Sequence, residues 1–194
     1  MPNTFVVANP RKCIGCRSCE IACAVAHLGT GVAEAGEAGT PFQPRLHLVR
    51  APRVAMPVQC RQCDDAPCAN VCPVGALIHY QGRVLVKAEL CIGCKTCLLA
   101  CPFGAMEMVP KLEEGLPVYQ GGLVAETEEG PEAKAKMVAH KCDLCAGRPG
   151  GPACAEVCIA KAFVVVNPDL LKRYMKEKRV AAVSEIARTR RQAR

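Results

Sequence analysis

Sixteen cysteines carry the chemistry open to this 194-residue chain. They fall into four groups of four, with none left over. Group one is Cys13, Cys16, Cys19 and Cys23, spaced C-x2-C-x2-C-x3-C. Group two is Cys60, Cys63, Cys68 and Cys72, spaced C-x2-C-x4-C-x3-C and followed by Pro73. Group three, Cys91, Cys94, Cys97 and Cys101, repeats the spacing of group one and is followed by Pro102. Group four is Cys142, Cys145, Cys154 and Cys158, spaced C-x2-C-x8-C-x3-C. Thiols in such numbers are either cross-links or soft metal ligands. Disulfide scaffolds are typically small and secreted. The N-terminus, MPNTFVVANPRKC, has no basic stretch followed by an apolar one and does not read as a signal peptide. Arg190 and Arg191 sit at the far C-terminus, where an Arg pair cannot direct export. The expectation is a cytoplasmic protein whose thiolates hold metal.

The spacing of groups one and three is the bacterial ferredoxin run that ligates [4Fe–4S] clusters. Three thiolates within seven residues wrap the chain around three corners of one cubane. The C-x3-C step then sets the fourth thiolate one helical turn further on, where it reaches a neighbouring cubane. Gly15 and Gly93, inside the two CIGC loops, suit a tight turn that leaves backbone N–H groups free to face sulfur. The alternative is zinc. Structural zinc sites take paired C-x2-C knuckles, and VQCRQC and AHKCDLC could pass for such knuckles. A triple C-x2-C-x2-C is awkward for zinc, because its third thiolate lies too near to be spare.

The elements that must position these thiols form an internal A-B-A-B repeat. VVANPRKCIGCRSCEIAC at 6–23 resembles VLVKAELCIGCKTCLLAC at 84–101. VQCRQCDDAPCANVCPVGAL at 58–77 resembles AHKCDLC…GPACAEVCIAKAF at 139–163. Short β-type runs precede the A groups (5–8, 84–86) and follow the B groups (77–80, 163–166). The fold class expected is therefore α+β: two ferredoxin-like two-cluster units, one inserted in the other, with short strands, short helices and a C-terminal helix. Residues 58–108 read as a contiguous inner unit, split by the turn signal Gln81 and Gly82. Residues 1–57 and 109–167 form the outer unit around it. By ferredoxin crossing, the inner clusters take Cys60, Cys63, Cys68 with Cys101, and Cys91, Cys94, Cys97 with Cys72. The outer clusters take Cys13, Cys16, Cys19 with Cys158, and Cys142, Cys145, Cys154 with Cys23. Tandem pairing of group one with two and three with four stays open.

The remaining segments read as follows. Residues 29–44 are rich in Gly, Ala and Pro and look like a loop. Residues 45–50 and 54–58 are candidate short strands. Residues 107–136 are acid-rich and read as a solvated loop, and GRPGGP at 147–152 as a surface turn. A helix is expected from about 168 to 188, with Asn167 as N-cap, Pro168 in the first position and Asp169 in the first turn. Leu171, Met175, Ala182 and Ile186 form a loose stripe on it. It reads as a helix packed on its own body, as a docking or self-association element, or, third, as a segment that binds RNA or acidic lipid.

The net charge of +7 belongs to that tail. Residues 170–194 hold nine Lys/Arg, from Lys172 to Arg194, against Glu177 and Glu185, and residues 1–169 balance to zero. Four oxidised cubanes with their thiolates add about −8, so the holo-protein is nearly neutral and nucleic acid is not an expected partner. With seven aromatics and no Trp, apolar packing alone is a poor candidate for holding the fold together. Only Ser18 and Ser184 offer a serine hydroxyl, and no nucleophilic triad is apparent. Of His27, His47, His79 and His140, the last precedes Cys142 by two and is a candidate donor to a cluster. No nucleotide-binding loop and no transmembrane run is present. With every iron held by thiolate, the chain moves electrons and leaves catalysis to a partner.

At CIGCRSCEIAC, CRQCDDAPCANVCPVGA, CIGCKTCLLACPFGAME and HKCDLC…GPACAEVC, the sequence resembles the four-cluster ferredoxin-type electron-transfer subunits of the HydN/HycB/CooF kind. The resemblance spans about residues 3–168 and fills all sixteen ligand positions. It implies a non-catalytic iron–sulfur subunit with four [4Fe–4S] clusters, working between a formate dehydrogenase-type enzyme and a hydrogenase. A carrier for carbon monoxide dehydrogenase or another molybdopterin enzyme, an accessory ferredoxin for enzyme maturation, and a zinc-binding nucleic-acid module are the alternatives. Groups one and four depart from the pattern: Ala24 and Ile159 stand where groups two and three have Pro.

Overall fold

The computed structural model describes residues 3–29 and 31–192. Arg194 of the basic tail lies outside them. The class is α+β, and all the described strands pair in twos, antiparallel. β1 (Phe5–Ala8) precedes the first cysteine group, which runs into α1 (Ser18–Val25). After α2 (Val32–Glu37) come β2 (Leu46–Ala51) and β3 (Val54–Gln59), then α3 (Pro67–Asn70) in group two. β4 (Leu77–Tyr80) and β5 (Arg83–Val86) lead to α4 (Thr96–Ala100) in group three. β6 (Glu107–Pro110) follows, then β7 (Leu112–Glu113), β8 (Leu116–Pro117), β9 (Tyr119–Thr127), β10 (Gly130–Ala135) and β11 (Met137–His140). Group four holds α5 (Ala153–Glu156), followed by β12 (Phe163–Val166) and α6 (Pro168–Gln192).

The ladders follow the repeat. β4 pairs with β5 from Leu77↔Val86 to Tyr80↔Arg83 across Gln81 and Gly82, both at positive φ (48° and 71°), as a tight two-residue hairpin requires. β12 pairs with β1 in the equivalent way, Ala8↔Phe163 to Phe5↔Val166. The first ladder joins the end of group two to the start of group three; the second joins the end of group four to the start of group one. The β2–β3 hairpin links group one to group two, and β6–β11 links group three to group four. The ladders thus link the four groups in cyclic order, and α1 packs on α5 and α3 on α4.

Two-stranded ladders are marginal by themselves, and the interior that unites them is built on sulfur. Nine of the cysteines are buried, Cys142, Cys145 and Cys154 among them. One core cluster surrounds Cys68, Cys91 and Cys97 with Leu77, Val84 and Met106. A second joins Cys60 and Cys142 through Val6, Ala105 and Leu144. A third joins Cys19, Cys23 and Cys154 through Leu46.

Three expectations are corrected. Residues 29–44 contain a short helix, α2, with Ala35 buried. Residues 107–136 form strands: β6 gives its hydrogen bonds to β11, and the β9–β10 ribbon is held by its own ladder with little burial. Backbone pairing there needs no apolar alternation, which is why an acid-rich composition concealed it. The C-terminal helix forms with the expected cap, Leu170 N–H donating to Asn167 Oδ1 at 2.8 Å. It does not pack along the body: residues 172–188 are exposed on every side.

Candidate iron–sulfur centres

The thiols gather in four places. Cys13, Cys16, Cys19 and Cys158 line one cavity together with Leu48 and Phe163. Cys16 is exposed, with the Ser18 hydroxyl 3.4 Å from its sulfur, and that contact holds its pKa below the usual thiol value. Burial pushes the Cys19 thiol up to about 11.

Cys142, Cys145 and Cys154 lie with Cys23. Burial raises Cys154 most, and the neighbouring Cys142, Cys23 and Cys145 raise it further. Cys142 is pushed up to about 12, again mainly by burial.

Cys60, Cys63 and Cys68 lie with Cys101. Burial lifts the Cys68 thiol to about 11 and Cys60 adds to it, whereas the Lys141 ammonium works the other way. Cys63 is raised by burial, then by Cys60, with Cys101 contributing.

Cys91, Cys94 and Cys97 lie with Cys72. Burial raises Cys97, followed by Cys91, Cys94 and Cys72. Cys94 is exposed and accepts the Thr96 hydroxyl at 3.5 Å, as Cys16 faces Ser18 in the first place.

Backbone N–H groups point at these sulfurs throughout. Arg45 donates to Cys23 at 3.2 Å and Ala139 to Cys91 at 3.3 Å. Gln62 donates to Cys60 and Leu144 to Cys142, both at 3.4 Å. The last cysteines of three groups are bonded alike by the residue four further on: Ala76 to Cys72 and Ala162 to Cys158 at 3.3 Å, Ala105 to Cys101 at 3.4 Å. A buried thiol has a high pKa because its thiolate is stranded away from water. Coordination by iron spreads that charge, and N–H···S bonds stabilise it. Both features fit a cubane. Among the described residues no three His, Cys, Asp or Glu side chains are set around a single metal ion; a cubane instead holds its thiolates at separate corners.

Several supporting side chains gave no signal in the cysteine pattern. Glu20 is buried in α1, its Oε1 accepting Leu48 N–H at 2.8 Å and its Oε2 lying 2.9 Å from Arg17 Nε. Asp143 takes Arg45 Nη1 at 2.7 Å and His27 Nε2 at 3.0 Å. Burial works against its charge, but His27 and Arg45 hold its carboxyl well below the usual range. Burial also opposes a charge on His27, yet Asp143 and Cys23 lift it to about 10. Burial, with Arg45 and His27 nearby, drives His140 down to about 4, so its imidazole is neutral with one ring N–H; His27 Nδ1 stands 4.0 Å from Cys23 Sγ.

The profile of 4Fe-4S dicluster domains matches residues 53–114, which contain groups two and three whole. The electron transport protein HydN of Escherichia coli (strain K12) is 43% identical over 178 residues, covering 91% of this chain and 95% of HydN. An iron-sulfur protein of Rhodospirillum rubrum is 41% identical over 199 residues, covering 99% and 95%. Hydrogenase-4 component A of Escherichia coli (strain K12) is 37% identical over 198 residues, covering 95% and 93%. Group two, one of the two groups that could pass for zinc knuckles, thus lies inside an iron–sulfur domain. With sixteen thiols in four groups, nine of them buried, the chain belongs to the ferredoxin-type [4Fe–4S] electron-transport family of HydN and hydrogenase-4 component A, as a non-catalytic electron-transport protein.

Proposed function

We propose that this chain is a four-cubane wire joining a formate dehydrogenase-type enzyme to a hydrogenase. Its clusters are bound by Cys13, Cys16, Cys19 and Cys158; by Cys142, Cys145, Cys154 and Cys23; by Cys60, Cys63, Cys68 and Cys101; and by Cys91, Cys94, Cys97 and Cys72. Residues 58–108 form one two-cluster unit, and 1–57 with 109–167 form the other. The observation that carries this reading is the packing of α1 on α5 and α3 on α4. Each helix pair braces the C-x3-C steps that crossed ligation needs. Tandem pairing would call for α1 against α3.

Contacts between the sets support an order for the wire. Cys60 and Cys142 share one core cluster, so the sets containing them are the central pair. The CIGC loops stand at the ends, with Cys16 and Cys94 exposed and Ile14 and Ile92 at 68% and 64% exposure. An apolar residue beside a half-open cluster is a contact surface for an electron donor or acceptor. When bound, the clusters supply one-electron chemistry; the chain's residues hold them close, keep the central pair dry and direct N–H groups at their sulfurs.

A hydrogenase on one side is supported by the likeness to hydrogenase-4 component A. The formate side rests on the CRQCDDAPCANVCP motif and the length. The test is anaerobic purification of the tagged chain from its own cells. Recovery of both enzymes, with formate-dependent reduction of the wire and its reoxidation by the hydrogenase, supports the proposal. A carbon monoxide dehydrogenase as the only redox enzyme recovered overturns the choice of partners.

A further inference from the structure

Lys141 is an ammonium buried where, among the described residues, no carboxylate pairs with it. Only 3% of the residue is exposed. Its Nζ donates to the carbonyl oxygens of Val84 and Cys142, the latter at 3.0 Å. Among the described residues no ion pair reaches it, and Asp143, two residues on, is engaged by Arg45 and His27. A desolvated cation without an anion is among the least favourable arrangements a fold can contain. Two carbonyl dipoles offset only part of that cost.

The position of the charge identifies its missing partner. Cys142 opens group four, and Val84 lies on β5 just ahead of group three. The same ammonium acts on the Cys68 thiol of group two. Gln62, 1% exposed and placed between Cys60 and Cys63, ties the same two residues: its Nε2 donates to Cys142 O and its Oε1 accepts Val84 N–H, each at 2.8 Å. Lys141 therefore sits at the seam between the two central thiol sets.

We propose that Lys141 is the shared counter-ion of the two central cubanes and sets their reduction potentials. The inference rests on the four-cluster reading above. A cubane with four thiolates is anionic, and each gains one further negative charge when it takes up an electron. Burial opposes that gain, so two dry clusters between exposed ends would form an uphill middle. A fixed cation at their seam offsets the burial and levels the path. No proton has to move with the electron, because the charge is already in place. Lys141 is thus a positioning residue acting through the clusters.

The test is an EPR-monitored redox titration of the anaerobic holo-protein, comparing wild type with Lys141→Met and Lys141→Arg. Methionine keeps the unbranched shape and removes the charge. In Lys141→Met the reduced-to-oxidised ratio of two cluster components falls about tenfold at fixed ambient potential, equivalent to about 59 mV for one electron. The other two components stay in place, and Lys141→Arg titrates as wild type. A uniform shift of all four components, or none, overturns the proposal. If Lys141→Met does not assemble, Lys141→Arg decides: assembly with wild-type potentials supports a fixed charge, and failure assigns Lys141 to packing alone and overturns it. Iron and acid-labile sulfide are measured on the same samples. Their absence from the wild type refutes the cluster reading, whereas full loading with unmoved potentials refutes only the role of Lys141.

Discussion

The side-chain amide of Gln62 donates to the main-chain carbonyl of Cys142 at 2.8 Å, across eighty residues of sequence. Gln62 lies inside the CRQC of group two and Cys142 opens group four, so one hydrogen bond joins the halves of the repeat. Its Oε1 satisfies the buried N–H of Val84 on β5 at 2.8 Å, and its own N–H faces Cys60 Sγ at 3.4 Å. Replacing it with Met leaves the Val84 N–H buried without a partner, which costs about 1–3 kcal/mol. Gln62→Met is expected to keep its iron and to unfold at lower temperature in anaerobic thermal melts. An unchanged transition would show that the seam is held elsewhere.

Crossed ligation makes a directional statement about Cys72. Its sulfur lies among Cys91, Cys94 and Cys97 of the following group. Cys72→Ala is expected to damage the cluster of group three and spare that of group two, leaving about twelve irons of sixteen. EPR spectra compared with those of Cys97→Ala check this: the two variants lose the same component.

The CIGC loops are alike in sequence and unlike in tolerance. Gly15 and Gly93 both have positive φ, 70° and 69°, so alanine costs about 1–2 kcal/mol at either. A Cβ at Gly93 would also stand 3.0 Å from the backbone oxygen of Met137, whereas at Gly15 the nearest atom is the movable Arg50 Nη2 at 3.2 Å. Gly93→Ala is expected to lose thermal stability and cluster occupancy first. Equal losses in the two variants would be evidence against the Met137 contact.

The pair of His27 and Asp143 has a defined pH window. His27 is raised from 6.5 to about 10, so its contribution to stability is full below pH 6.5 and fades as pH rises through about 10. Asp143 is depressed from 3.8, so its contribution is full above pH 3.8 and is lost only in acid. Asp143→Asn is therefore expected to lower the melting temperature most near pH 6, with the deficit shrinking toward pH 10. Melts of both proteins across that range give the comparison; a deficit that grows with pH contradicts the assignment.

The C-terminal helix is exposed from 172 to 188. Truncation after Leu171 is expected to leave iron content and the melting temperature of the body unchanged. Native mass measurement of the purified complex then reports on docking: loss of a partner or of a second copy assigns the helix to assembly.

Much of this protein could be read from cysteine spacing, because ligation by a cubane is a local constraint. Three thiolates in seven residues dictate their loop whatever surrounds them. The flanking strands, the Gln81 and Gly82 turn and the Asn167 cap were legible for the same reason, since each depends on neighbours in sequence. The strands of 107–136 were not, because ladder partners replace apolar alternation there and acidic residues mask the pattern. The supporting side chains were likewise hidden. A lysine beside a cysteine, or a glutamine between two of them, carries no sign of burial in the sequence. By itself the sequence determined the cofactor type and the α+β class. Only the tertiary structure decided which groups face each other, through the β1–β12 closure and the α1–α5 and α3–α4 packing. Only the tertiary structure set Lys141 and Gln62 at the seam, because that placement depends on contacts between residues more than twenty positions apart.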